Sequence, residues 1–199
     1  MPPARTHDGR LILVRHGRTE WSVSGQHTGT TDLPLLPEGE EDARRLGTRL
    51  AAFDIGLALA SPLARARRTA ELAGFGDAEV DDDLREWDYG GYEGRTTADI
   101  RDELGHDWAV FEHGVVPGKT RGETVEEVSA RASRVLDRVA PVLEERDVVL
   151  FGHGHALRIL AATYLRREAR FGAQLLLDAG AMCVLETERE QPAIRLWNG

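Results

Sequence analysis

The chain has a single cysteine, Cys183, so it holds no intrachain disulfide and no cysteine-based zinc site. No apolar run approaches the roughly 20 residues a spanning helix needs, and the first ten residues, MPPARTHDGR, carry no apolar signal core. Positive charge is short as well. The formal net charge is -9 and the pI about 5.3, which argues against a polyanion such as DNA or RNA as partner. Any anion bound here must be small and held by a local positive pocket against an unfavourable overall field. What is left is a cytoplasmic enzyme or binding protein. With 199 residues, 41% of them hydrophobic, the chain can build one ample core, and its end close behind the last strand-like segment leaves the expectation of a single domain over 1–199.

Periodicity and punctuation give the order of elements. RLILVR is a short apolar run ended by a glycine two residues on, as expected of a strand covered on both faces. From Pro37, Ala43, Leu46, Leu50 and Phe53 fall at helical intervals behind leading acids. LALAS reads as a second strand, and Pro62 opens a helix that stops at Gly74. A Thr-x-x-Glu capping box at Thr124 heads a long amphipathic helix containing Pro141. DVVLFG, the helix HALRILAATYL, and the closing strands AMCVLETE and AIRLWN follow. Alternating strands and helices predict an α/β three-layer sandwich, with a mostly parallel central sheet and helices on both faces. Glycine and proline between Tyr89 and Gly122 predict an inserted, lid-like region over about 88–122.

Ligands of such sheets bind beyond the carboxyl ends of the strands, where helix N-termini point free amides outward. Three strands deliver unusual residues to that edge: Arg15-His16-Gly17, Ser61-Pro62-Leu63-Ala64-Arg65 and Gly152-His153-Gly154. Two guanidinium groups and two imidazoles converging there suit a compact dianion, and phosphate is the obvious one. Phosphoryl transfer needs an in-line nucleophile and a proton for the leaving oxygen. No metal-ligand cluster is visible to activate water. A neutral imidazole can attack instead, and neighbouring cations lower the pKa of His16 and keep its ring free. In DDDLREWDYGGYEG, Glu86 stands between an apolar anchor, Leu84, and an aromatic, Trp87, a setting that suits a proton donor.

RHG after the first strand, SPLARARRTAELA, L-R-E-W-D-Y-G-G-Y-E-G and FGHGHALR resemble, in order, the motifs of the histidine phosphatase superfamily, which includes the phosphoglycerate mutases. WSVSGQHTGTTDLPL, RGET and LLLDAG are further similar to fungal sedoheptulose-1,7-bisphosphatase-like phosphatases and their bacterial relatives. The resemblance implies a phosphoglycerate mutase-like fold and a phosphatase without cofactor or metal. His16 would be the phosphohistidine nucleophile, Arg15, Arg65 and His153 would hold the phosphoryl oxygens, and Glu86 would protonate the leaving hydroxyl and then activate water. Ser22, Thr28, Gly29, Tyr89 and Arg158 match positions where relatives contact substrate. Many relatives carry asparagine where Ser22 stands; the fungal bisphosphatase-like sequences carry serine.

The expected partner is a small phosphorylated metabolite, a sugar phosphate or bisphosphate, with no nucleic acid and no membrane; a homo-oligomer is compatible with the pattern. Two other readings compete, a mutase that moves phosphate between hydroxyls of a glycerate and a catalytically silent phosphate-binding protein. The short YGGYEG region disfavours the first, because mutases typically carry a longer insertion that walls off water, and the intact His16 and Glu86 disfavour the second. His153 and His155 are not expected to form a metal pair, since alternate residues at a helix start do not share a face. His7, His27, His106 and His113 read as solvated surface residues. Lys119 and Arg121 in PGKTRGET are candidates for a second anionic group of the substrate.

Overall fold

A computed structural model of the protein describes residues 9–199; His7, expected on the surface, lies outside the described residues. The first strand, β1 (Leu11–Arg15), explains why its sequence is continuously apolar. Leu11 and Leu13 enter one core cluster, Ile12 and Val14 another, and all four are fully buried. Successive side chains point to opposite faces, so a strand with helices on both sides needs apolar residues at every position. Burying each such side chain contributes about 1.5–3 kcal/mol.

A short helix, α1 (Glu20–Ser24), follows under a capping box from Thr19, and then α2 (Pro37–Leu50), with proline in its first turn. Strand β2 (Ile55–Ala60) leads into α3 (Ala64–Leu72), and a two-residue edge strand, β3 (Glu79–Val80), comes next. Helices α4 (Thr97–Leu104) and α5 (Val110–His113) lie in the segment 88–122. The long helix α6 (Val125–Leu143), capped as predicted by Thr124 with Glu127, precedes β4 (Asp147–Gly152) and α7 (Gly154–Tyr164). Strands β5 (Met182–Glu188) and β6 (Gln191–Leu196) close the chain.

The sheet order is β3-β2-β4-β1-β5-β6. The pairings β1–β4, β2–β4 and β2–β3 are parallel, while β1–β5 and β5–β6 are antiparallel. The expected α/β sandwich with a largely parallel sheet is what forms. Alternation recurs in β4, where Val148 and Leu150 join Leu11 and Leu13 while Val149 and Phe151 join Ile12 and Val14. Helices α6 and α7 cover the first face through Val128, Val135, Leu157 and Leu160; α2 and α3 cover the second through Leu46, Leu50 and Ala70.

Register sets the site. Arg15 pairs with Gly152 and Ala60 with Phe151, so three neighbouring strands end level with one another. The bonds continue one residue further: the His16 amide donates to the Gly152 carbonyl at 3.0 Å and the Ser61 amide to the Phe151 carbonyl at 2.9 Å. The segment 88–122 is closed at its base, where the Glu123 amide donates to the Asp88 carbonyl (2.9 Å) and the Asp88 amide to the Glu123 carboxylate (3.0 Å). Trp108 and Phe111 from this segment are buried in the first cluster. No helix among the described residues is long and apolar enough to cross a membrane.

Candidate active site

His16 leaves the end of β1 with its ring buried beside a pocket of about 260 Å³. Its Nδ1 lies 2.8 Å from the Gly17 carbonyl, and because a carbonyl only accepts, Nδ1 carries the proton. Nε2 therefore holds the lone pair, and it has no hydrogen-bond partner among the described residues. Burial first, then the charges of Arg15 and Arg65, hold the His16 pKa well below 6.5 and keep the ring neutral. The Gly17 amide donates to Thr69 Oγ1 of α3 at 3.0 Å, and a Cβ at Gly17 would sit 2.3 Å from the Gly39 carbonyl oxygen. Glycine is required there by close backbone contact.

Arg15 also lines the pocket. Its Nη1 donates to the Leu177 carbonyl at 2.6 Å, while its buried Nε has no partner among the described residues. A buried donor without a partner costs about 1–3 kcal/mol, and this one belongs to a side chain that lines the same pocket as the His16 ring. The guanidinium rests on Gly154, where a Cβ would lie 3.2 Å from Arg15 Cζ.

Arg65 and His153 lie close to His16, but neither lines the pocket. Arg65 is fully buried; its Nη1 donates to the Thr31 carbonyl, its Nη2 to those of Thr28 and Gly29, and its Nε to His153 Nδ1 at 3.2 Å. A guanidinium only donates, so His153 Nδ1 accepts, and His153 Nε2 carries the proton toward Ser61 Oγ at 2.7 Å. Burial, then Arg65, pushes the His153 pKa well below 6.5. The rings of His16 and His153 are 5.2 Å apart between centroids.

Glu86 also lines the pocket. Its Oε1 accepts from the amides of Trp87 and Ala156, both at 2.8 Å, and its Oε2 from that of His155 at 3.1 Å. The N-terminus of α7, expected to offer free amides to a ligand, instead gives the amides of His155 and Ala156 to this carboxyl group. Leu84 and Trp87, the apolar neighbours of Glu86, are both buried in the first core cluster, and three backbone donors hold the carboxyl between them.

The residues assigned by resemblance divide. Ser22, Thr28, Tyr89 and Arg158 line the pocket. Ser22 Oγ is tied into the α1 capping box, donating to the Thr19 carbonyl at 2.9 Å. Arg158 donates to the carbonyls of Gly172 and Ala173 and lies over the Phe111 ring. Gly29 does not line the pocket: its amide is taken by the Glu93 carboxylate at 2.9 and 3.1 Å, and its carbonyl accepts from Arg65. His27 is a correction. Expected at the surface, it is buried in the pocket wall, its ring 4.7 Å from that of Tyr89, and burial lowers its pKa to about 4. His106 and His113 are exposed as expected.

His155, overlooked as a wall residue, shares a 2.5 Å hydrogen bond with the Tyr89 hydroxyl through Nδ1. Burial drives the Tyr89 phenol well above its usual 10 and the His155 ring well below 6.5, so the pair is neutral. Trp21, Gln26, Thr97 and Leu177 complete the wall and were likewise not singled out. Arg121 is turned away, donating to Glu127 at 2.8 and 3.0 Å, while Lys119 lines a separate cleft that shares Trp21 with the pocket.

Residues 11–199 match the model of the histidine phosphatase superfamily (branch 1). This chain belongs to that superfamily. It is an enzyme of the phosphatase class, in line with relatives that bear phosphatase names. The chain is 39% identical over 185 residues to the sedoheptulose 1,7-bisphosphatase of Saccharomyces cerevisiae, covering 78% of this chain and 67% of that one. It is 35% identical over 175 residues to an acid phosphatase of Mycobacterium tuberculosis, covering 87% and 84%. Among solved structures, that of an open reading frame from the same species superposes with a TM-score of 0.90 at 33% identity, over 96% of this chain and 97% of that one. The superfamily's fold is thus the fold described above.

Proposed function

We propose that this histidine phosphatase hydrolyses small phosphomonoesters, sugar phosphates or bisphosphates, by a metal-independent route through a phosphohistidine at His16. The observation that carries the reading is the His16 Nδ1–H bond to the Gly17 carbonyl, which leaves Nε2 as an unpartnered nucleophile in a ring that lines the same pocket as Arg15. The phosphoryl group of the ester docks against Arg15. The Nε2 lone pair forms the N–P bond as the ester P–O bond breaks, and the leaving oxygen takes its proton from the Glu86 carboxyl. Water then attacks phosphorus, gives a proton to the Glu86 carboxylate and displaces neutral His16, releasing orthophosphate. Arg65 backs the site with charge, and His153 fixes the wall behind the nucleophile.

The leaving group lies against Ser22, Thr28, Tyr89 and Arg158. Gln26, His27, Thr97 and His155 make that wall rich in neutral hydrogen-bonding groups, which suits a polyol, and the relative named as a sedoheptulose 1,7-bisphosphatase supports the same class. Residues 11–199 form one catalytic domain in this reading, and the segment 88–122 covers the pocket through Tyr89 and Thr97. A panel of metabolite phosphate esters, assayed with and without chelator for phosphate release, tests it. Release from sugar phosphates that survives chelation is expected. Dependence on added metal, or rapid isomerisation of 3-phosphoglycerate with little release, would overturn it.

A further inference from the structure

We infer that Arg131, on α6, is a positioning residue that fixes the proton-donating carboxyl of Glu86. The inference rests on the reading of Glu86 as the general acid.

Arg131 is buried, and all its N–H groups are used on one segment and one carboxylate. Nη1 donates to the carbonyls of Asp83 (2.8 Å) and Arg85 (2.6 Å), and Nη2 to that of Glu86 itself (3.1 Å). Nε and Nη2 bind the two oxygens of Glu123 at 3.0 and 3.1 Å. Glu123 holds the next two residues: its carboxylate accepts from the Asp88 amide at 3.0 Å and its carbonyl from Trp87 Nε1 at 2.8 Å. Residues 85, 86, 87 and 88 are therefore all bonded to Arg131 or Glu123, an ion pair whose arginine is buried and whose carboxylate is half-buried. The pair also sits where the segment 88–122 joins the body.

Stability alone does not ask for this arrangement. Arg131 lies on the stripe Val128, Ala132, Val135, Val139, where an apolar residue would pack, and buried ion pairs are often matched or bettered by apolar replacements. What a planar guanidinium supplies is geometry: three carbonyls and a carboxylate received in fixed directions. With that backbone fixed, the Glu86 carboxyl reaches the amides of Trp87, His155 and Ala156 and faces the pocket; a displacement of about 1 Å at a reacting group can cost about 10²-fold in rate.

Leaving-group dependence tests this. A dinitrophenolate departs without a proton, whereas an alkoxide needs one. Arg131→Met and Arg131→Lys are compared with wild type by kcat/KM, which reports phosphoryl transfer to the enzyme, on 2,4-dinitrophenyl phosphate and glycerol 3-phosphate. We expect a loss of about 10²-fold on glycerol 3-phosphate and little change on the activated ester, the smaller loss belonging to lysine. Equal losses on both esters, no loss on either, or failure of both variants to fold would overturn the inference. Glu86→Gln is run alongside. If it lacks the same signature, the acid assignment itself fails; if it has the signature and the Arg131 variants do not, only the role of Arg131 fails.

Discussion

Gly154 supports the guanidinium of Arg15: a Cβ there would stand 3.2 Å from Cζ and 3.3 Å from Nε, the one buried side-chain polar atom without a partner among the described residues. Arg15 cannot simply retreat, because its Nη1 is anchored on the Leu177 carbonyl. Gly154→Ala should therefore lower kcat/KM roughly 10- to 100-fold by displacing the anion-binding donor. Alanine also favours the first turn of α7 by about 0.5–1 kcal/mol over glycine, so the melting temperature should hold or rise. Kinetics and a thermal melt on the same variant check the split.

The Tyr89 hydroxyl and His155 Nδ1 meet in a buried, neutral pair. Tyr89→Phe leaves that nitrogen unsatisfied and should cost about 1–3 kcal/mol of stability. The ring and its contacts with His27 and Trp87 remain, so the activated ester should still be hydrolysed. Denaturant unfolding against wild type, with a parallel rate measurement, is the check.

Four histidines, His16, His27, His153 and His155, are held neutral by burial, with folded pKa values below the 6.5 of an exposed ring. As pH falls below 6.5 the unfolded chain binds protons that the folded chain does not, so stability present above 6.5 is lost downward from there; for His27 the loss is complete near pH 4. The slope is at most about 1.4 kcal/mol per pH unit for each histidine. Unfolding free energies between about pH 7.5 and 5 should fall, and His27→Phe should flatten the fall by up to one histidine's share. An unchanged slope in that variant would remove His27 from the account.

Arg121 is engaged by Glu127 on the outside of α6. Arg121→Ala should leave the kcat/KM ratio of bisphosphorylated to monophosphorylated sugars unchanged. A lower ratio would mean that the side chain reaches substrate.

Much of this was legible in the sequence, for identifiable reasons. The runs at Leu11 and Val148 had to be two-faced strands because every residue is apolar, and Arg15 and Asp147 form the ends of those strands, at opposite edges of the apolar core. Strand β3 was invisible: its two residues are both exposed at the sheet edge, and nothing periodic marks them. Partnerships were less legible than positions. Arg65 and His153 were placed at the correct strand ends, but their engagement with the 28–31 carbonyls and Ser61 depends on how a distant loop folds. His27 looked like any polar loop residue, because its burial comes from Tyr89 and Trp108, far along the chain. Arg131 did leave a trace, a charge set into a helical apolar stripe.

The central claim is a covalent bond between phosphorus and Nε2 of His16. Rapid quenching of enzyme with a 32P-labelled sugar phosphate, followed by digestion at alkaline pH and mass spectrometry, tests it directly. An acid-labile phosphoryl group is expected on the peptide containing His16, formed within one turnover and absent in His16→Ala, which should also be inactive. Label on another residue, or phosphate release by His16→Ala at the wild-type rate, would contradict it.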